Sequence, residues 1–502
     1  MEENETSKRQ TLEALPKERL VSLILQLEAL VAQQQVALSE QFVSITNLQN
    51  EVARLHGIVN KNSRNSNQPP SKDNPNKRPK PKSRRLKSKR RPGGQKGHKG
   101  STLSPVDKPD FTIVHLPKAC SNCSTSLEGV ISSSVANRQV FDLPTLKMLV
   151  TQHEQHQCKC PGCGEASIGH FPDHIPVSPA SYGESVQALA TYLSVYQLLP
   201  YQRMSELIND LFALRLSVGT LYSMNRRTYD ACEEMSEQIK ETIVQSPVVH
   251  FDETGCRVEA VREWMHVAST ETETHYEVHE KRGQEAMDDI GILPEFEGRA
   301  VHDHWKPYFA YDACSHALCN AHHIRELAYF AEEEGISWAS EMLTHLVEIK
   351  DIVDQAKAKG EQALSIHVLT RLESRYDDIL KSARYSCGQR KRHQGSESTD
   401  PPGKRGRKKQ EPIKNLLDRL HVKRCEVLIS MHDFSVPWDN NLGERDIRMA
   451  KVKEKISGSY RSKMGAKIFC RIRGCISTAR KHGRHVLSAL REAIVSNRPA
   501  YA

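Results

Sequence analysis

The sequence predicts a multidomain α+β protein, and three observations carry that prediction. At 502 residues the chain exceeds what one hydrophobic core organises. Its apolar periodicity is helical near the N-terminus, turns to short β-branched runs around residue 250, and becomes helical again further on. Two Cys-x-x-Cys pairs and a Pro- and Lys-rich stretch, none of which belongs to a continuous core, separate these regions.

Charge is concentrated in one segment. The chain nets +9, and residues 74–100, NPNKRPKPKSRRLKSKRRPGGQKGHKG, hold twelve Lys and Arg with no Asp or Glu, so the remainder nets −3. The opening MEENETSKRQ is acidic and polar, unlike a signal peptide. No run of about 18 uninterrupted apolar residues suggests a membrane span. A cytoplasmic, nucleoid-associated protein is therefore expected. Thirteen cysteines, an odd count in a chain without an export signal, disfavour a disulfide framework and leave thiols available to metal.

The first expected domain is a helix over residues 1–61. Leu20, Ile24, Leu27, Val31, Leu38, Ile45, Leu48, Val52 and Leu55 follow a four-three spacing, with Gln34 and Gln41 at the two polar seam positions. Nine apolar residues in eleven seam positions describe a coiled coil roughly 50 Å long, with another copy of the chain as partner. An internal helical hairpin, bent at the two Gln, would show the same seam.

Residues 62–109 are expected to be a disordered basic linker, because nothing in SRNSNQPPSKDNPNKRPKPKS offsets the entropy of ordering it. Lys77, Arg78, Lys82, Arg84, Arg85, Lys87, Lys89, Arg90 and Arg91 suit salt-dependent contact with DNA phosphates. Residues 110–172 carry Cys120, Cys123, Cys160 and Cys163, two knuckles about 40 residues apart, flanking the strand-like RQVFDLP and KMLVTQHE. That pattern fits a tetrahedral thiolate zinc ribbon with structural Zn²⁺, although Cys158, His153 and His156 leave the fourth ligand open.

Residues 177–243 read as helices. LPYQRMSELINDLF restarts after Pro200, and LSVGTLYSMNRRTYDAC opens with Ser217 at an N-cap position. The pair resembles a helix-turn-helix, with Ser217, Thr220, Ser223, Asn225, Arg226 and Arg227 as its DNA-facing candidates, and a plain helical connector is the alternative.

In residues 246–318, PVVHF is a strand ending at Asp252, followed by the turn formers Glu253, Thr254 and Gly255. EWMHVAST and THYEVHEKRG continue a meander, QEAMDDIGIL is helical, and RAVHDHW is a strand with Asp303 at its end. Three strands, a helix and a strand, with acids on the first and fourth strands, make the opening of a ribonuclease-H-like core. Two divalent ions would need a third carboxylate. Glu444, on a helix starting near Asn441, is the candidate, although capping-box spacing from Asn441 and an i,i+4 pair with Arg448 explain it equally well. A helical insertion with a basic loop at 386–411 occupies residues 319–424, a second core segment spans 425–485, and 486–502 read as a tail.

The strings NSRNSNQPPSKD, GGQKGHKG, LPYQRMSELINDLFALRLSVGTL, HFDETGCRV, HDHWKPY, CNAHHIREL, DNNLGERDIRMAKVKEKISGSYRS and ISTARKHG occur in order through the chain. On them the protein resembles the insertion sequence sixty-six family of bacterial transposases. The resemblance implies a D-D-E transposase that binds terminal inverted repeats, cleaves to expose 3′ hydroxyls and joins them to target DNA. Position by position, Asp252, Asp303 and Glu444 match the three acids that hold Mg²⁺ or Mn²⁺. Cys319 and His322 match a Cys-x-x-His signature, read as a packing and orienting element. Arg445 and Arg448 share the helix of Glu444 as phosphate-contact candidates, and Lys451, Lys453 and Lys455 would extend that basic face. The family also implies accessory proteins encoded beside it. A DNA-binding accessory protein without strand transfer is the main alternative, and a zinc hydrolase using His250, Asp252, His302, His304 and His322 is another.

Overall fold

The computed structural model describes residues 16–62, 103–172, 175–393 and 410–496. Residues 63–102 of the expected 62–109 linker, with all nine of its candidate Lys and Arg, and residues 394–409 of the expected 386–411 loop lie outside these residues. Helix α1 (Lys17–Val59) is continuous through Gln34 and Gln41, which rules out a bend at the two Gln. By length and composition its Lys17–Gln49 stretch is long and apolar enough to cross a membrane, with none of it buried, although no such span was expected. Leu, Val, Ile and Ala dominate the stretch and its polar positions are mostly uncharged Gln and Ser, so it is apolar on average without an uninterrupted apolar run.

Between Gln157–Lys159 (β1) and Ala166–Ile168 (β2) lies the second cysteine knuckle, closed by an antiparallel pairing that sets Cys158 opposite Ser167. The residues RQVFDLP and KMLVTQHE, expected as strands, form neither strand nor helix. Their apolar side chains are exposed, Val140 at 91% and Leu149 at 85%, so β-propensity there has no core to pack against.

Helices α2 (Glu184–Thr191), α3 (Tyr201–Phe212), α4 (Val218–Ala231) and α5 (Glu233–Val244) follow. Ala190, Met204, Ile208, Leu216, Leu221 and Met224 gather into a small core among the first three. Strand β3 (Val248–Val258) pairs antiparallel with β4 (Val261–Ser269), and β4 with β5 (Thr274–His279). The sequence expectation ended the first strand at Asp252. Instead the strand runs through Asp252, Glu253, Thr254 and Gly255, because each finds a partner on β4 from Val267 to Trp264. Helix α6 (Gln284–Ile290) completes this stretch.

Strands β6 (Arg299–His302) and β7 (Ser315–Leu318) are parallel to each other. Helices α7 (Asn320–Glu332), α8 (Ser337–Ala358), α9 (Ile366–His393), α10 (Pro412–Val422) and α11 (Arg424–His432) form the helical region after them. Helix α9 takes residues 386–393 from the expected loop. The chain ends in α12 (Asn441–Ser457), α13 (Lys463–Lys481) and α14 (Val486–Ser496). The last is a packed helix where a tail was expected, with Val486, Leu490 and Ile494 buried.

The chain divides into two units. One comprises Met1–Lys80 and Gly298–Asn441, and its core runs from Leu318 to Met431 through Trp338, Met342, Tyr376 and Leu416. The other comprises Pro81–Glu297 and Leu442–Ala502. Its main core sets Cys256, Val258, Met265, Val267, Tyr276 and Val278 of the meander against Ile468, Phe469, Cys470, Ile472 and Ile476 of α13. Gly474 allows that approach, since a Cβ there would meet the carbonyl oxygen of Thr274 at 3.0 Å.

Candidate active site

The three candidate acids sit on the elements expected to carry them. In the unit holding the meander, Asp252 lies within β3 and Glu444 in the first turn of α12; in the other unit, Asp303 follows β6 directly. All three are half-buried, a setting in which a carboxylate keeps a fixed direction and still reaches solvent. Asp252 Oδ1 accepts from the backbone N–H of Glu253 at 2.9 Å, and Asp303 Oδ1 from that of Trp305 at 2.8 Å, the second being an Asx-type turn.

Neighbouring acids are committed elsewhere. Glu253, its side chain 2% exposed, accepts from Arg282 Nε at 2.8 Å and Nη2 at 2.5 Å. Alternation along the strand explains the division, since residues 252 and 253 project to opposite faces of the meander. Arg282 also stacks 4.9 Å from the ring centre of Trp264, which Arg262 approaches at 4.5 Å.

Asp446, two residues after Glu444, anchors α12. Its Oδ2 accepts from Ser269 Oγ at 2.8 Å and Thr274 Oγ1 at 3.3 Å, and lies 2.9 Å from Lys481 Nζ. Lys481 donates onward to the carbonyls of Thr270 and Glu273, at 2.7 and 2.9 Å, and Tyr276 OH donates to the backbone carbonyl of Asp446 at 3.0 Å. Burial lowers the Lys481 pKa despite Asp446 beside it. Two residues along a helix turn about 200°, so fixing Asp446 against the β4–β5 turn aims Glu444 away from it. Sequence reasoning missed this anchor, because Asp446 and Ser269 stand 177 residues apart.

In the other unit, Cys319 and Asn320 hold the segment leading to α12. Asn440 N–H donates to Cys319 Sγ at 3.1 Å, Asn320 N–H to the Trp438 carbonyl at 3.2 Å, and Asn320 Nδ2 to the Val427 carbonyl at 2.9 Å. Cys319 thus accepts a hydrogen bond from the backbone just before α12. His302, fully buried, bonds through Nδ1 to the Asp303 carbonyl and through Nε2 to His316 Nδ1 at 3.0 Å, while stacking on Tyr308 with ring centres 4.4 Å apart. Burial first, then His316, drives its pKa down to about 3.

The basic face expected beyond Glu444 is only partly present. Arg445, Arg448 and Lys455 are exposed. Lys451 pairs with Glu454 at 3.0 Å and donates to the Gly255 carbonyl, and Lys453 turns inward to lie 4.2 Å from the Tyr460 ring centre. On α4, Ser217 caps the helix by accepting from the Thr220 N–H at 3.0 Å, as expected. Asn225 does not face outward: it is 1% exposed and donates to Ser194 Oγ and Tyr201 OH at 2.8 and 2.9 Å. Arg226 pairs with Asp230 at 3.2 Å, and Arg227 donates to Gln187 at 3.1 Å.

The two cysteine knuckles have the same backbone pattern. Cys120 N–H donates to the Thr125 carbonyl and Ser124 N–H to the Cys120 carbonyl; Cys160 N–H donates to the Glu165 carbonyl and Gly164 N–H to the Cys160 carbonyl. Ser124 and Gly164 both turn with positive φ, 58° and 80°. A hydrogen bond from the Thr125 side chain brings the Cys123 pKa down to about 7, and the backbone N–H groups of Cys163 and Gly162 lower that of Cys160. Donors aimed at sulfur favour thiolates, the form that binds Zn²⁺. Among the described residues, no three of these four sulfurs lie within 4.8 Å of one another.

No curated protein matches the chain. Residues 13–104 match a family of unknown function, DUF6444. Residues 179–468, more than half of the chain and the whole stretch from α2 through α12, match the model of the Transposase IS66 family, and the chain belongs to that family.

Proposed function

We propose that this transposase is of the D-D-E type, with Asp252, Asp303 and Glu444 holding two Mg²⁺ or Mn²⁺ ions for cleavage and joining of DNA strands. What supports this most is the family match together with the placement of the three matched acids, half-buried on a strand, directly after a strand and in the first turn of a helix. An oxygen-only set of carboxylates suits hard divalent cations. Bound there, the ions supply charge neutralisation at the phosphate and a lowered pKa for the attacking water or 3′ hydroxyl. The chain's own part is positioning. Asp446 fixes the turn carrying Glu444, the Asx turn at Trp305 fixes Asp303, and exposed Arg445 and Arg448 meet phosphate.

The β3–β4–β5 meander, α6, and the parallel β6–β7 pair follow the element order of a ribonuclease-H-like core, with α7–α10 as its helical insertion. DNA contact comes from the basic segment around residues 77–91 and from the exposed start of α4. The knuckles at Cys120/Cys123 and Cys160/Cys163 hold one structural Zn²⁺ once drawn together by it. The terminal inverted repeats and the target are the DNA partners, α1 joins copies of the chain, and accessory proteins of the same element assist.

Cleavage of labelled element ends in Mg²⁺ tests the acids: Asp252→Asn is expected to lose all activity, and activity equal to wild type would overturn the assignment. For the ribbon, one tightly bound zinc per chain is expected by elemental analysis and should vanish in Cys120→Ser/Cys123→Ser.

A further inference from the structure

Strands β3 and β4 run past the end of β5. Pairing with β5 begins at Trp264, so residues 261–263 of β4 and their partners 256–258 of β3 form a two-stranded ribbon. Glu259 and Ala260 turn between them with positive φ, 50° and 65°. The turn is tied down, with Glu259 N–H donating to the Tyr460 carbonyl and Tyr460 N–H to the Arg257 carbonyl, both at 2.8 Å. Cys256, Val258 and Met265 face the core built on α13. By alternation, Gly255, Arg257, Arg262 and Trp264 share the opposite face, where Arg257 pairs with Arg262 and Gly255 with Trp264.

The charges on that face are ordered and uncompensated. Arg262 and Arg282 lie 4.5 and 4.9 Å from the ring centre of Trp264. The Arg262 guanidinium also reaches over Gly255, where a Cβ would meet its Nε at 3.2 Å and its Nη2 at 3.3 Å. A missing side chain thus gives the guanidinium room on the sheet, and the indole holds it there. Arg282 is committed to Glu253. Arg257 and Arg262 are exposed and stand directly opposite each other, and neither has an ion-pair partner among the described residues. Like charges so placed repel and weaken a hairpin. Stacking on Trp264 accounts for one guanidinium; a second, opposed and unpaired, needs an anion from outside.

We propose that this end of the β3–β4 ribbon grips the phosphodiester backbone of DNA beside the segment being cut, with Arg257 and Arg262 each on a phosphate. The inference rests on the reading of the chain as a DNA-cutting transposase and adds a contact away from the three acids. A guanidinium fork matches the oxygens of a phosphate, and one already held on an indole loses little freedom when it binds. Two of them side by side fit a row of anions better than a single phosphate ion. Asp252 belongs to the other face of β3, with Val267 as its partner, and stands five residues before Arg257, about 17 Å at about 3.3 Å per residue. At 3.4 Å of rise per phosphate on one strand, that is roughly five base pairs. The grip therefore falls on flanking duplex, and its loss is separable from loss of chemistry.

The test uses the full chain and a fluorescent duplex carrying one element end, with binding read by anisotropy across a salt series in the absence of divalent metal. Arg257→Gln/Arg262→Gln is expected to weaken binding several-fold and to lower the slope of log K against log salt by about 1.8, or about 0.9 for each phosphate contact. Its cleavage rate in Mg²⁺ at saturating DNA should stay near wild type. Trp264→Leu, which removes no charge, should also weaken binding, with the denaturant midpoint confirming that it folds. Lys359→Gln/Arg371→Gln makes the same charge change at exposed positions of the other unit and should keep the wild-type slope. An unaltered slope in Arg257→Gln/Arg262→Gln, an equal drop in the control pair, or wild-type affinity in a folded Trp264→Leu would overturn the inference. So would lost cleavage at saturating DNA with binding intact, which would put the two arginines at the reacting phosphate. Cleavage by Asp252→Asn would overturn the D-D-E reading and leave the anisotropy result standing.

Discussion

Asp252 and Glu253 are adjacent carboxylates with opposite fates. The sequence singled out Asp252 through its resemblance to a family motif, and no local pattern separates the two. What separates them is an arginine 29 positions further on, which packs on Trp264 and takes the Glu253 carboxylate out of solvent. Glu253→Gln is therefore expected to keep cleavage near wild type while lowering stability by about 1–3 kcal/mol, because Arg282 loses its anionic partner. Parallel measurement of cleavage rate and denaturant midpoint checks this; lost cleavage at an unchanged midpoint would move Glu253 into the site. Lys453 teaches the converse lesson. It reads as part of a basic run, yet its ammonium lies over the rings of Tyr460, just after α12, and Phe469, on α13.

At the scale of elements, periodicity made most of the secondary structure legible. Helix α1, β4, β5, α6, β6 and the Ser217-capped α4 lie where apolar spacing and capping residues put them. The failures share a cause. Strand β3 outruns its turn-forming residues because β4 offers partners for each of them, and the apolar runs at 138–154 find no partner and stay irregular. Cross-strand pairing decided both, and it has no local signature. The anchor of α12 shows the same with charge. Side chains of Asp446 and Lys481 are only 14% and 13% exposed, so removing one partner leaves an unpaired charge in a dry setting. Asp446→Ala is expected to cost about 3–5 kcal/mol, and Asp446→Leu/Lys481→Met to recover part of that loss. Urea denaturation of the two variants decides it; a double variant worse than the single would show the pair to be net stabilising beyond its mutual compensation.

Over the whole molecule, buried histidines tie stability to pH. Burial is the main cause that brings His266 and His275 down to about 4, with Lys240 and Arg471 adding to the effect at His275. Between about 4 and the usual 6.5, the unfolded chain binds protons at these positions that the folded chain does not. Their contribution is complete above pH 6.5 and declines as pH falls toward 4, by up to about 1.4 kcal/mol per pH unit for each histidine. The urea midpoint should accordingly drop from pH 7.5 to pH 5, and His275→Gln should shrink that drop. A midpoint unchanged over this range would contradict the burial of both rings.

The unit built on β3–β5 is stitched from two distant stretches of chain, and its core includes Val486, Leu490 and Ile494 of α14 beside Ala188 and Val195. During synthesis, the meander emerges from the ribosome long before α12, α13 and α14 exist to cover it. Until they arrive, Met265, Val267, Tyr276 and Val278 have no helix to pack against, and Glu444 has not been made. A nascent or truncated chain therefore lacks a finished core and the proposed third acid, Glu444, together. On the proposed D-D-E assignment, foldedness and cutting competence are acquired in one late step, and an unfinished copy is expected to leave the DNA around it uncut.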